Sequence, residues 1–71
     1  MRITYDESIN AAYIYLTDKN SKVARTYTCD PIRAGMINLD FDENETLIGI
    51  EILDANKILP KKILEEAEII G

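Results

Sequence analysis

The chain has 71 residues, of which 46% are hydrophobic, and its 13 acidic and 8 basic residues give a net charge of −5. A chain of this length predicts one small domain, residues 1–71, that buries only about 60% of the surface exposed in its unfolded form. Its single cysteine, Cys29, excludes an internal disulfide, and one thiol without any histidine does not predict a zinc site.

The small core and the negative net charge both indicate which partners the protein is expected to have. A small domain without disulfide or metal commonly gains stability by association, which favours a homodimer or a protein partner. Negative charge repels the phosphates of nucleic acids, so nucleic-acid binding is not expected, whereas a small basic protein is a suitable partner. The alternative is that mild acidity only keeps the protein soluble. The first ten residues lack the apolar run of a signal peptide, no membrane span is expected, and the lone thiol suits the cytoplasm.

Five segments show the alternation of apolar and polar residues that is typical of strands. They cover residues 2–5, 11–17, 23–29, 35–41 and 47–53. The second segment places Ala12, Ile14 and Leu16 on one face and Tyr13 and Tyr15 on the other. The last two segments each carry a continuous row of Ile, Leu or Phe, and we expect them to pair as a hairpin across residues 42–46. Because the connections are short, the pattern predicts an antiparallel β-meander of about five strands.

The last twelve residues change to a helical period. Pro60 suits a first helical turn, and an apolar stripe follows at helical spacing, which predicts one C-terminal helix over residues 60–70. Lysines near its start and glutamates near its end oppose the helix dipole, so this helix must be stabilised by docking. The stripe consists of Ile63, Leu64, Ala67 and Ile70. The predicted fold class is therefore α+β, with the helix packed on the Ile/Leu/Phe face of the sheet.

The stretch "DFDENETLIGIE", residues 40–51, has the carboxylate spacing of a calcium-binding loop. Such a loop also needs flanking helices and glycine at its sixth position. Here the sixth position is Glu45 and both flanks are predicted strands. We therefore interpret the stretch as a hairpin turn with Asn44 or Glu45 in the left-handed region, and no metal site is expected.

No catalytic group stands out in the sequence. Cys29 has no histidine to activate it, and the three glycines are too far apart to form a phosphate-binding loop. The acidic pairs Asp6 with Glu7 and Asp40 with Glu51 are more readily explained as solvated surface charge, since a small open sheet offers no enclosed pocket to perturb a pKa. The prediction is a protein without enzymatic activity, cofactor or catalytic residue.

Tyrosines are the best candidates for a binding surface. Tyr13 and Tyr15 point away from the predicted core, and Tyr27 can join either side. Tyrosine gives a large contact area at low entropic cost and is enriched in protein interfaces. The alternative interpretation is that these tyrosines are ordinary surface residues of strands without a binding role. Gly49, in the middle of a predicted strand, favours close packing of Tyr13 or Tyr15 over the backbone at that point.

Two stretches, "ITYDESINAAYIYL" (3–16) and "GMINLDFDENETLIGIEILDANKIL" (35–59), resemble the small bacterial family named domain of unknown function 2283. The matching positions are Tyr5, Asp6, Ala11, Tyr13, Ile14, Leu16, Asp40, Asp42, Leu47, Gly49, Ile50, Glu51, Ile52, Leu53, Asp54 and Ala55. Two residues depart from the pattern: Asn10 replaces the usual Asp, and Glu45 replaces the usual Gly of the turn. The second departure implies a different turn geometry, which we expect to use Asn44.

The resemblance implies a fold and no established activity. Some members are encoded beside small basic proteins that resemble ribonuclease toxins, which implies an antitoxin-like role. From residues and resemblance together we predict a protein-binding module, with an antitoxin-like partner of a basic protein as its specific form. The alternative is a homo-oligomeric structural protein without ligand, and the third hypothesis is a calcium-binding protein or an enzyme.

Overall fold

The computed structural model describes residues 1–18, 20–29 and 36–71. Within these residues the chain forms six strands and two short helices. The strands are β1 (Arg2–Asp6), β2 (Ala11–Tyr15), β3 (Arg25–Cys29), β4 (Met36–Phe41), β5 (Leu47–Leu53) and β6 (Glu68–Ile70), and the helices are α1 (Ala55–Ile58) and α2 (Lys61–Glu66). The predicted start of the fourth strand at residue 35 lies outside the described residues.

The strands form one mixed sheet in the order β3-β4-β5-β2-β1-β6. All neighbours are antiparallel except β6, which runs parallel to β1. The predicted five-strand meander is wrong, because β2 pairs with β5 rather than with β3. That pairing sets Ala12 opposite Ile52 and Ile14 opposite Ile50, so the most apolar strands occupy the centre. β3, whose side chains are mostly exposed, lies at the edge.

The predicted hairpin between β4 and β5 is confirmed. Asp42 closes it: its Oδ1 accepts the backbone N–H groups of Asn44 at 2.9 Å and Thr46 at 3.0 Å. The left-handed residue is Glu45, with φ of 62°, which confirms the interpretation that Asn44 or Glu45 takes this conformation. The expectation attached to the family resemblance, that the turn uses Asn44, is wrong. The Asp42 carboxylate thus accepts hydrogen bonds from the backbone amides of the turn. The chain reverses direction at Glu45, which adopts the left-handed conformation.

The C-terminal segment is not one helix. α2 ends at Glu66, Ala67 is extended (φ −72°, ψ 156°), and the next three residues pair with β1. The predicted helix over residues 60–70 is wrong beyond Glu66, since the unfavourable charge order gives its last turn little support and a free sheet edge offers backbone partners. Arg2 reinforces this pairing by an ion pair with Glu68 at 2.9 Å.

Asn10 ties the turn between β1 and β2 to α1. Its backbone C=O accepts the N–H of Ala55 at 3.0 Å, and its Nδ2 donates to the side-chain oxygens of Asp54 at 3.1 Å and Asn56 at 2.8 Å. Its Oδ1 accepts the hydroxyl of Tyr5 and the N–H of Asn56. An amide both donates and accepts, whereas an ionised carboxylate only accepts, so Asn rather than Asp at this position matches the neighbouring carboxylate of Asp54.

The core lies between the sheet and the two helices. Its buried cluster is Ala12, Ile52 and Ala55, and the partly buried residues packed around it are Tyr5, Ile14, Ile37, Ile50, Ile58, Leu59 and Leu64. The helical segments therefore dock on the Ile/Leu face of the sheet. Of the predicted apolar stripe, Leu64 packs against this core, whereas Ile70 belongs to β6 and is exposed, so its assignment to the docking stripe is wrong. Among the residues that the structure describes, no large hydrophobic side chain is fully buried, and neither helix has the length and apolar character needed to cross a bilayer.

Candidate functional site

The sheet face opposite the helices carries a hydrogen-bonded group of polar side chains, which we call the polar face. Alternation along each strand sends these side chains away from the core, and the strand register brings them side by side across four strands. The polar face consists of Tyr13 and Tyr15 on β2, Gly49 and Glu51 on β5, Asn38 and Asp40 on β4, and Thr26 and Thr28 on β3.

Tyr13 crosses a whole strand to reach its partner. Its hydroxyl donates to Oδ2 of Asp40 at 2.5 Å, although β5 lies between their two strands. Gly49, the residue of β5 that pairs with Asp40, lies under the ring. A Cβ at this position would come within 2.6 Å of Tyr13 Cζ, well inside van der Waals contact. The expected packing of a tyrosine over Gly49 is therefore observed for Tyr13, and it explains a glycine in mid-strand.

Asp40 is the most enclosed carboxylate of the polar face, with 8% of its surface exposed. Besides Tyr13 it accepts the hydroxyl of Thr26, at 2.6 Å. Burial raises the pKa of Tyr13 well above its ordinary value, and the hydrogen bond to Asp40 raises it further. Tyr13 therefore stays a neutral donor over the physiological range, which suits it to fix a surface rather than to exchange a proton.

A second chain of hydrogen bonds runs beside the first. Thr28 donates to Oδ1 of Asn38 at 2.7 Å, and Asn38 donates through Nδ2 to Oε1 of Glu51 at 2.9 Å. Asp40 and Glu51 share this face, and each accepts hydrogen bonding from neutral donors. The interpretation of this pair as solvated surface charge is wrong for Asp40, which is almost buried. No buried side-chain N or O atom in the described part of the chain lacks a partner. The network is therefore closed internally, so its geometry is set before any ligand arrives.

The guanidinium of Arg2 lies over the ring of Tyr15. The rings of Tyr13 and Tyr15 lie 4.6 Å apart between centroids, and the guanidinium of Arg2 lies 5.0 Å from the centroid of Tyr15. Arg2 also donates two hydrogen bonds to the carboxylate of Glu68, at 2.9 Å and 3.2 Å, and this contact raises the pKa of Arg2. Together these residues show how this surface holds a guanidinium, by an aromatic face on one side and a carboxylate on the other.

The three tyrosines predicted from the sequence do not form one surface. Tyr13 and Tyr15 lie together on the polar face, whereas Tyr27 pairs in register with Leu39 and so points to the helix side of the sheet. It is 61% exposed. The sequence analysis considers Asp40 as one of an acidic pair with Glu51, but it does not predict the hydrogen bond from Tyr13 to Asp40. The alternation of Thr26 and Thr28 in one strand with Asn38 and Asp40 in the next was a usable signal, but only once the register was known.

The carboxylates in the stretch from Asp40 to Glu51 do not point toward a common metal site. Asp40 and Glu51 belong to the two strands of the hairpin, and Asp42 binds backbone amides. Across residues 1–18, 20–29 and 36–71 there is no group of three or more His, Cys, Asp or Glu side chains placed to hold a metal ion.

Beside Tyr15 and Arg2 there is an open depression of about 710 Å³, whose acidic lining residue is Asp18.

Comparison with known proteins places the chain in a family. Residues 2–56 match the model of a protein family described as "Protein of unknown function (DUF2283)". No curated protein and no solved structure matches the chain. Because the match covers most of the 71 residues, the chain belongs to this family. The matched range contains every residue of the polar face and ends within α1.

Proposed function

We propose that this member of the DUF2283 family is a protein-binding module whose polar face binds a small basic protein. The observation that carries the proposal is the contact between the rings of Tyr13 and Tyr15 beside the carboxylates of Asp40 and Glu51, on the sheet face opposite the helices. The antitoxin-like role that the family resemblance implies is the specific form of this proposal. The cytoplasm, with its reducing conditions, is the compartment we propose.

The tyrosines supply contact area without a large entropic cost. The hydroxyl of Tyr13 is held by Asp40 and its ring rests on Gly49, so its rotamer is set in the unbound protein. Tyr15 packs against that ring. Binding then immobilises few additional side-chain torsions, and a pre-organised aromatic pair is the kind of anchor that dominates binding energy in many interfaces.

The charge of the polar face favours a basic partner. Asp40 and Glu51 add two negative charges to it, and the whole chain carries −5. An arginine or lysine of the partner can lie over the tyrosine rings and pair with Glu51, in the way that Arg2 lies over Tyr15 and pairs with Glu68. Complementary charge also speeds encounter and disfavours acidic partners and nucleic acids.

Affinity capture with matched variants tests the proposal. The immobilised protein is incubated with a lysate of its source organism at about 0.05 M and about 0.5 M salt, because added salt screens contacts between exposed charges. Tyr15→Ala and Glu51→Gln alter the polar face, and Tyr27→Ala is the control because it removes the same ring type from the opposite face. Bound proteins are identified and quantified by mass spectrometry.

We expect one small basic protein in stoichiometric amount. It should be lost at high salt and reduced by both polar-face variants, and it should be retained by Tyr27→Ala. Capture of no protein at low salt, or capture that Tyr15→Ala and Glu51→Gln leave unchanged, contradicts the proposal.

A further inference from the structure

We propose that the open edge of β3 pairs with β3 of a second copy, in an antiparallel arrangement that continues the sheet through a homodimer. This surface is distinct from the polar face, so the inference does not depend on the proposed function. β3 stands first in the strand order and pairs with β4 on one side. In the part of the chain that the structure describes, no strand lies against its other side, where backbone N–H and C=O groups can accept a further strand.

The side chains of β3 favour such pairing. Its sequence, RTYTC, contains threonine and tyrosine, which suit strands, and neither proline nor glycine. Its one charged residue, Arg25, is held by an ion pair with Glu45 at 2.9 Å. The opposite edge of the sheet differs, because β6 has only three residues and carries Glu68. Natural edge strands are usually protected by short length, charge, proline or a bulge, and β3 has little of this protection.

Apolar side chains on or beside the open edge are available to an interface. Val23 is 49% exposed and Tyr27 is 61% exposed. A second copy that pairs along β3 covers part of this apolar surface.

A two-fold arrangement centred on Tyr27 places compatible side chains opposite each other. Tyr27 faces Tyr27 of the second copy, Thr26 faces Thr28, and Arg25 faces Cys29, so no like charges are paired. Residues 21–29 contain two basic residues and no acidic one, although the chain as a whole carries −5. Pairing at β3 therefore places no acidic side chain of this segment opposite its own copy. It also extends the helix-side face from one copy to the next through the two tyrosines.

The test measures mass in solution against concentration. Sedimentation equilibrium of the wild-type chain is compared with that of Tyr27→Lys, which sets two lysines opposite each other. The control is Ile9→Lys, since Ile9 is 67% exposed in the turn between β1 and β2. We expect a dimer of twice 8.1 kDa for the wild type and for Ile9→Lys, and a dissociation constant at least about tenfold higher for Tyr27→Lys. A monomeric wild type across the micromolar range overturns the proposal.

A disulfide assay tests the register independently of the lysine variant. In a Cys29→Ser background, Tyr27→Cys should form a disulfide between copies on mild oxidation, because directly opposed residues are close enough for a disulfide. Thr26→Cys should not, since Thr26 lies opposite Thr28 of the second copy and the two cysteines are therefore offset by two residues along the strand. Equal cross-linking at both positions, or a dimer that Tyr27→Lys does not weaken, overturns the arrangement.

Discussion

The hydroxyl of Tyr13 reaches Asp40 at 2.5 Å across the intervening strand β5. The Tyr13 side chain can reach Asp40 only because residue 49, which lies under its ring, is glycine. Its hydroxyl also provides a hydrogen bond to a carboxylate that is almost buried. The stability of the fold and the shape of the polar face therefore depend on the same side chain, and the first three predictions follow from that dependence.

Gly49→Ala should destabilise the protein by about 1–3 kcal/mol, because the new methyl group overlaps the Tyr13 ring and overpacking has costs of this size. The same substitution in a Tyr13→Ala background should be nearly neutral, since the space is then open and alanine is entropically better than glycine in a strand. Urea denaturation of the four variants in this double-mutant cycle measures the difference. An equal loss of stability in both backgrounds would show that the ring does not rest on Gly49.

Tyr13→Phe should lower the free energy of unfolding by about 1.5–3 kcal/mol, the usual range for a hydrogen bond to a charged group. Asp40 keeps the hydroxyl of Thr26 but loses its other donor in an almost buried position. Tyr27→Phe is the matched control, because Tyr27 is exposed on the opposite face and should lose less than about 0.5 kcal/mol. Equal effects of the two substitutions, measured by urea denaturation, would contradict this assignment.

Alkaline pH should destabilise the protein through Tyr13. Its folded-state pKa is raised above the unfolded value of about 10, so the native state favours the protonated form. This contribution to stability is complete below about pH 10 and is lost as the pH rises through the folded-state pKa. The free energy of unfolding should therefore fall more steeply above about pH 10 in the wild type than in Tyr13→Phe. Parallel pH profiles of the two proteins, measured by urea denaturation, would exclude a raised pKa at Tyr13.

Asn10→Asp should destabilise the protein by about 1–3 kcal/mol, the range for leaving polar groups unsatisfied. The amide Nδ2 donates to Asp54 and Asn56, and a carboxylate at this position would lose both bonds and face the carboxylate of Asp54. Asn44→Asp in the exposed turn between β4 and β5 makes the same chemical change without such contacts and serves as the control. Thermal denaturation should show a clear loss for the first variant only; similar melting temperatures would contradict this role of Asn10.

Some of the fold was predictable because its signals are local. The strand Leu47–Leu53 has the predicted limits, and the alternation of Ala12 and Ile14 with the two tyrosines assigned the faces of β2 correctly. The acidic residues after Phe41 indicated the hairpin. In each of these cases the information lies within a few neighbouring residues, where side-chain period and turn chemistry act directly.

The parts that were not predicted depend on contacts between distant residues. The sequence of β2 does not indicate that it pairs with β5. The spacing of apolar residues after Pro60 is compatible with one long helix and also with a short helix followed by a strand. Glu68 joins the edge of the sheet because Arg2, far away in the sequence, is beside it. Likewise, the pairing of Thr26 with Asp40 and of Asn38 with Glu51 requires the register of three strands.

The affinity of the polar face for a captured basic protein tests the central proposal most directly. Isothermal titration calorimetry at about 0.15 M salt would compare the wild type, Tyr15→Ala and Tyr27→Ala. If Tyr15 is an anchor of the interface, Tyr15→Ala should weaken binding at least about tenfold, while Tyr27→Ala leaves it unchanged. Unchanged binding by Tyr15→Ala, or a larger loss in Tyr27→Ala, would contradict the assignment of the polar face as the binding surface.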